Sequence, residues 1–149
     1  MDNMPAVTGQ NRKFIIFSLQ GSLYALDLAQ VAEVGAPPLL SPIPLAPVCY
    51  SGALNFHGNI VAVMDLALFL GLSGVTRPEK IIFLHRDVAS LAFLVDTIIR
   101  IVSEGEVTFS TPPDSCFAAA KVCMSDGEAI QLDLETIVKE AVKCMRKHE

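Results

Sequence analysis

Residues 51–72 read SGALNFHGNIVAVMDLALFLGL, and this stretch decides the fold. Residues 57–59 (HGN) predict a tight turn, because glycine and asparagine tolerate a positive φ at little steric cost. Residues 60–64 are apolar and rich in β-branched side chains, which is typical of a buried strand. Asp65 follows, and its carboxylate predicts a cap for a helical turn over residues 66–70. The stretch is therefore expected to form two strands and a capped helical turn, without a catalytic centre.

Short apolar segments on both sides of this stretch predict further strands. They cover residues 14–19, 23–28, 80–85, 90–95, 98–102 and 129–134. Turn residues within 14–28 and within 80–95 indicate two hairpins. Residues 29–34 are expected to begin as a helical turn and to end extended. Residues 35–47 hold five of the nine prolines and predict a loop or a sheet edge, because proline lacks the amide donor that a sheet interior needs.

The C-terminal third carries weaker signals until its last segment. Residues 103–125 indicate a short strand at 107–109, a turn at 112–114 and an apolar stretch at 117–124. After Asp133 and Glu135 a helix is predicted as far as about residue 146, because apolar residues recur at helical spacing. These are Ile137, Val138, Ala141, Val142 and Met145. The helix is short and not strongly basic, so its apolar stripe is expected to dock on the protein's own barrel rather than on a membrane.

Composition limits both the fold class and the partners. The 149 residues fit one domain, or two subdomains that share a core. With 52% apolar and 18% charged residues, most of the chain is not expected to be disordered. The net charge of −5 argues against nucleic acid binding, which needs a clustered basic face. Many short strands with little helix between them predict a mainly β chain, built as small antiparallel barrels or a sandwich.

The sequence also indicates a cytoplasmic protein without metal or cofactor. Residues 1–13 are polar, whereas a secretory leader has an apolar centre. The longest apolar run, residues 60–72, is shorter than the roughly 20 residues of a membrane-spanning helix and contains Asp65. The cysteines are Cys49, Cys116, Cys123 and Cys144. They lack the close-spaced pairs of a metal site, so free thiols in a reducing compartment are expected.

Four segments of the chain resemble the CheW-like domain of bacterial chemosensory systems, and they stand in the family's order. They are FIIFSLQGSLYALDLAQVAEV at 14–34, IPLAPVCYSGALNFHGNIVAVMDL at 43–66, FLVDTIIRI at 93–101 and DGEAIQLDLETIV at 126–138. The resemblance implies two interlocked five-stranded SH3-like β-barrels that share a core, with a C-terminal helix. It places this domain at residues 13–146, after a flexible tail at residues 1–12.

The resemblance implies an adaptor that performs no chemistry of its own. Members of the family link the cytoplasmic tips of chemoreceptors to the regulatory domain of a CheA-type histidine kinase. One barrel end meets the kinase domain, and a groove between the barrels receives the receptor hairpin. The expected partners are therefore these two proteins, with no nucleic acid and no membrane contact except through the receptors.

Several positions match family motifs that are associated with partner contact. Val31 and Glu33 match a V-x-E segment, and Asp65 closes the strand that follows the central turn. That turn usually reads G-x-x-N-x-R-G, and a V-D pair lies further on. The predicted partner-binding residues are Val31, Glu33, Gly52, Asn55, His57, Gly58, Asp65 and Asp96. For each of them a structural role stays open: backbone geometry for the glycines, local capping for the aspartates and core packing for Val31.

Two departures from the family pattern leave alternatives open. His57 occupies the usual arginine position of the turn, and Ala67 replaces a second arginine. Arginine keeps its charge and offers a planar fork of donors, which histidine does not. The chain could thus be a divergent relative that binds another signalling partner or a small apolar ligand. An enzyme is disfavoured, because the sequence lacks the nucleophile-elbow, zinc-protease and phosphate-loop motifs and has three histidines.

Overall fold

The computed structural model describes residues 12–72, 74 and 77–147, with the backbone alone for residues 145–147. The strands are β1 (Lys13–Leu19), β2 (Ser22–Asp27), β3 (Val31–Gly35), β4 (Tyr50–Phe56), β5 (Asn59–Asp65), β6 (Lys80–Leu84), β7 (Leu91–Val95), β8 (Thr97–Ser103), β9 (Thr108–Ser110), β10 (Ala118–Met124) and β11 (Gly127–Leu132). The helices are α1 (Leu66–Phe69) and α2 (Leu134–Lys147), and short 3-10 turns lie at Leu28–Gln30 and Glu104–Glu106. The tail expected at residues 1–12 lies outside the described residues, apart from Arg12.

The strands form two sheets whose chain segments are interlocked. One sheet has six strands in the order β8-β1-β2-β11-β10-β9, and the other has five in the order β3-β6-β7-β5-β4. The chain enters the five-stranded sheet after β2 and returns to the six-stranded sheet at β8. The prediction of a mainly β chain with a C-terminal helix is confirmed, and the two sheets are compatible with the expected pair of five-stranded SH3-like barrels. The six-stranded sheet has one strand more than expected, because the short β9 pairs with β10.

Most neighbouring strands are antiparallel, as the turn signals indicate. The predicted hairpins β1–β2 and β6–β7 are both present. Two pairs are parallel, namely β2 with β11 and β5 with β7. The partners in these parallel pairs are distant in sequence or separated by another strand, so no turn signal announces them. These parallel pairs connect β11 to β2 and the β6–β7 hairpin to β5.

Apolar side chains collect in three clusters, which explains the continuous apolar runs of the strands. A central cluster takes residues from both sheets and from α2, and each sheet also has a cluster of its own. In β1, Ile15 and Phe17 enter the central cluster, whereas Phe14 and Ile16 enter the cluster of the six-stranded sheet. Successive side chains point to opposite faces of a strand, so a strand buried on both faces must be apolar throughout.

Helix α2 covers the central cluster in the way that its apolar stripe predicts. The Asp133 carboxylate accepts from the backbone amide of Thr136 at 3.2 Å, which caps the helix. Ile137 and Ala141 are buried in the central cluster, whereas Val142 is 45% exposed and Met145 lies outside the described side chains. The Tyr50 hydroxyl donates to the Ala141 carbonyl at 2.9 Å, and burial raises the pKa of Tyr50 to about 12. The Tyr50 hydroxyl therefore keeps its proton at neutral pH, and its hydrogen bond connects β4 to α2.

The sequence misplaced one boundary near this helix. The last strand was expected at residues 129–134, but β11 ends at Leu132 and Leu134 is already helical. The reason is that Asp133 acts as the cap, so the strand must end before it.

Of the helices in the described part of the chain, none has both the length and the apolar composition that a membrane span requires.

If the central cluster holds the two sheets together, Phe93→Ala should lower the free energy of unfolding by about 3–5 kcal/mol, because Phe93 is fully buried there. The matched control is Phe109→Ala, which removes a ring that is 41% exposed. It should cost about 1 kcal/mol or less. Urea denaturation followed by circular dichroism measures both values, and equal losses for the two variants would contradict this role.

Candidate functional site

Four of the eight predicted partner-binding residues lie together at one end of the five-stranded sheet. Glu33 on β3 faces His57 in the β4–β5 turn, and Asn55 and Gly58 belong to the same turn. We call this region the turn end. The remaining four lie elsewhere or point inward, and they are Val31, Gly52, Asp65 and Asp96. The structure thus brings half of the predicted set to one surface.

The β4–β5 turn lies where the sequence predicts it, but its positive φ values fall on His57 and Gly58, and Asn59 already belongs to β5. His57 and Gly58 both have positive φ, at 52° and 87°, as a two-residue hairpin turn of type I′ requires. The Asn55 side-chain oxygen accepts from the backbone amide of Gly58 at 2.9 Å. Asn55 therefore shapes the turn from within the strand, and the turn presents His57 to solvent.

An aromatic stack positions His57 at the turn end. The ring of Phe56 lies 4.3 Å from that of His57 and stacks on Phe83 at 3.9 Å, nearly parallel. His57 Nε2 lies 3.5 Å from Glu33 Oε1, with side chains 74% and 53% exposed. A polar contact at that separation and exposure contributes little to stability, even where both partners are charged. Glu33 and His57 therefore keep most of their polar atoms available to a partner.

Gly52 has a backbone role at a crossing of two segments. Its φ is +153°, and a Cβ there would lie 2.7 Å from the Ser41 carbonyl oxygen and 2.8 Å from the Leu40 Cβ. Ser41 and Ala53 exchange two backbone hydrogen bonds, of 2.9 and 2.8 Å. The segment that follows β3 thus runs against β4, which lies at the other edge of the five-stranded sheet. Only glycine allows this close approach.

The two aspartates cap backbone amides inside the fold. Asp65 is 6% exposed, and its side chain accepts from the Leu68 amide at 3.2 Å, which begins α1 as predicted. Asp96 accepts from the Gln20 amide at 2.7 Å, at a turn residue whose φ is +51°. Asp96 thereby joins the end of β7 to the β1–β2 turn. Both carboxylates have the structural roles that the sequence left open for them.

Val31 lies at the start of β3 and is half-buried. It pairs in register with Leu84 and packs against the central cluster. Val31 is therefore mainly a packing residue.

A cleft of about 240 Å³ lies at the turn end, and Ala32, next to Val31, is one of the residues that line it. The other residues that line this cleft are Phe56, His57, Asn59, Val61, Leu84, His85, Arg86, Ala89 and Ser90.

A second surface is a largely apolar groove between the six-stranded sheet and the segment that follows α1, and the sequence did not assign any residues to it. Its volume is about 230 Å³. One wall carries Leu70 and Leu72 after α1, and the other carries Phe117 and Ile130. The full lining is Tyr24, Leu70, Leu72, Pro113, Ser115, Phe117, Ala118, Ile130 and Leu132. Phe69 and Phe117, whose ring centroids are 5.1 Å apart, join the walls.

Neither surface has the donors of a metal centre. Among the described residues, no group of three or more His, Cys, Asp or Glu side chains could hold a metal ion. The four cysteines are free thiols, with Cys49 buried and Cys116 exposed. Burial raises the pKa of the Cys49 thiol, so it is not poised as a nucleophile. Both surfaces offer apolar contact and hydrogen bonding, and the turn end also presents the charged side chains of Glu33 and Arg86.

Comparisons with known proteins give one consistent result. The model of the CheW-like domain family matches residues 13–142. The chain is similar to a chemotaxis protein CheW from Thermotoga maritima, at 27% identity over 130 residues, which cover 83% of this chain and 85% of the relative. It is also similar to a chemotaxis protein CheW from Rhizobium meliloti, at 22% identity over 110 residues, which cover 72% and 71%. Among solved structures, scaffolding protein TtCheW from Thermoanaerobacter tengcongensis superposes with a TM-score of 0.73, at 25% identity over 85% of this chain and 92% of that one.

Gly52 in β4 and Gly58 in the β4–β5 turn should respond differently to substitution. We expect Gly52→Ala to lower the free energy of unfolding by about 3 kcal/mol, because the methyl group meets backbone atoms in addition to an unfavourable φ. Gly58→Ala should cost about 1 kcal/mol, since its φ of +87° is strained but nothing lies within 4 Å. Thermal and urea unfolding give both numbers. A Gly52→Ala protein as stable as Gly58→Ala would show that the Leu40–Ser41 crossing is not tight.

Proposed function

The chain belongs to the CheW-like domain family, and on this premise we propose that it is a non-catalytic adaptor of bacterial chemosensory signalling. In this role it couples the cytoplasmic tips of chemoreceptors to the regulatory domain of a histidine kinase. The observation that carries the proposal is the extent of the family match, which runs through both sheets. Relatives that are named chemotaxis proteins and a structural neighbour named a scaffolding protein support it.

The turn end is the surface that we assign to the kinase regulatory domain. Glu33 and His57 are exposed there, and the Phe56–Phe83 stack packs beneath the turn. A preformed, rigid surface loses little conformational entropy when a partner binds. The exposed side chain of Ile60 on β5 adds apolar area near the same turn, since it is 68% exposed. Polar groups around an apolar centre are the usual composition of a protein interface.

The groove between the six-stranded sheet and the segment after α1 is the surface that we assign to the receptor tip. Its apolar walls suit an amphipathic helix that inserts side chains spaced three and four residues apart. Its volume of about 230 Å³ is below the roughly 300–1,000 Å³ of small-molecule sites. The groove therefore fits side chains of a helix better than it fits a free apolar ligand.

The groove lining also supports binding over catalysis. Tyr24 and Ser115 provide hydroxyl groups, and the other lining residues are leucine, isoleucine, proline, alanine and phenylalanine. Acid–base catalysis most often uses an imidazole, a carboxylate or an amine, none of which lines this groove, and burial raises the pKa of the Tyr24 hydroxyl, which makes it a poorer general base or acid near neutral pH. We therefore propose that the chain turns over no substrate and acts through its contacts.

Glu33→Lys should weaken binding of the cognate kinase regulatory domain about tenfold, because it reverses the charge that the turn end presents. Glu79→Lys is the matched control, since it makes the same charge change on an exposed residue just before the start of β6. Calorimetric titration measures both dissociation constants. The proposal fails if the wild-type chain retains neither the kinase domain nor a receptor tip at tens of micromolar, which corresponds to roughly 6 kcal/mol.

Phe117→Ala should weaken binding of a receptor-tip hairpin about tenfold and leave kinase binding unchanged, because Phe117 forms one wall of the groove. Phe109→Ala serves as the control, since it removes an equivalent ring from β9, outside the groove. Pull-down of a soluble receptor fragment, quantified over a concentration series, reports the difference. Equal receptor affinity for the two variants would place the receptor site elsewhere.

A further inference from the structure

The cleft at the turn end has a composition that specifies what its occupant must present. We propose that it receives an apolar side chain flanked by a carboxylate, both from the kinase regulatory domain, and that Arg86 pairs with that carboxylate. This inference rests on the adaptor function proposed above, and it names the chemistry of the kinase contact. It also assigns a role to Arg86, which no sequence motif singled out.

The size of the cleft selects a protein side chain as the occupant. Its volume of about 240 Å³ lies below the range of small-molecule sites, roughly 300–1,000 Å³, so it has room for one or two side chains. The apolar part of its lining comes from different elements of the five-stranded sheet. It consists of Ala32, Phe56, Val61, Leu84 and Ala89. An aliphatic or aromatic side chain would lose its hydration against these walls, which favours its insertion.

Charge determines what must accompany that side chain. Glu33 faces His57 and Asp87 faces His85, each at 3.5 Å. Arg86 lines the same cleft, is exposed, and makes no ion pair with any residue in the described ranges. Arginine keeps its charge throughout the physiological range and presents a fork that matches a carboxylate in two parallel hydrogen bonds. Among the residues that line the cleft, Arg86 therefore carries the only permanent charge, and that charge is positive.

The net charge of the chain makes this position selective. At −5, the molecule as a whole repels an acidic partner, so an acidic residue is favoured only where a local cation meets it. Arg86 supplies that cation beside an apolar cavity. Paired apolar and electrostatic contacts fix the orientation of a partner more strongly than either contact alone. The cleft thus selects one docking pose of the kinase domain.

The test compares two arginines on β6-flanking segments. Arg86 follows the C-terminal end of β6, whereas Arg77 precedes its N-terminal end and likewise makes no ion pair within the described residues. Arg86→Glu should weaken binding of the kinase regulatory domain at least tenfold, with a smaller effect at 0.5 M salt, where surface charges are screened. Arg77→Glu should change it less than twofold. Both variants should bind the receptor tip like the wild type.

A second variant and a rescue complete the experiment. Ala89→Phe fills the cleft without altering charge, and it should also weaken kinase binding while its melting temperature confirms folding. A scan of single Asp or Glu→Lys changes on the kinase domain should contain one that restores binding to Arg86→Glu. Wild-type affinity in both Arg86→Glu and Ala89→Phe would overturn the inference and leave the adaptor proposal intact. Absence of kinase binding by the wild-type chain would instead remove the adaptor proposal, and this inference with it.

Discussion

The burial of apolar side chains between the two sheets is the constraint on which the rest of the molecule depends. Phe17 of β1, Phe93 of β7 and Ile137 of α2 meet in one cluster, so that neither sheet can bury its inner face without the other. β1 and β7 also contribute side chains to the separate clusters of their own sheets. These strands must therefore be apolar on both faces. The two sheets therefore form one body, and the turn end and the groove keep a fixed separation on it.

Local sequence signals were sufficient for elements that a turn or a cap defines. Asp65 begins α1 as expected, and the alternation in residues 14–28 predicts the first hairpin, whereas the cap at Asp133 was not predicted. They were weak for β9, a three-residue edge strand with every residue exposed, since such a strand carries no burial pattern. The parallel pair β2–β11 could not be read at all, because its strands are separated by most of the chain and no turn connects them.

Sequence signals likewise identified one part of the candidate site and not the other. The turn residues Asn55, His57 and Gly58 were found because one short motif contains them, and the turn geometry follows from their chemistry. The residues of the groove were not predicted, because its walls come from segments as distant as Tyr24 and Leu132 and each segment alone is typical of ordinary core. Asp65 and Asp96 were found for the same reason as the turn residues, because family motifs contain them. In the structure both carboxylates cap backbone amides within the fold. Motif membership alone did not distinguish a structural from a contact role.

The account predicts a connector that holds two partners at once on a rigid body. The most direct measurement is sedimentation velocity of the purified chain mixed with a receptor-tip hairpin and the kinase regulatory domain. We expect a complex that contains all three proteins, and no association of receptor tip with kinase domain when the chain is left out. Mutually exclusive binding, in which one partner displaces the other, would contradict the idea that this fold joins them.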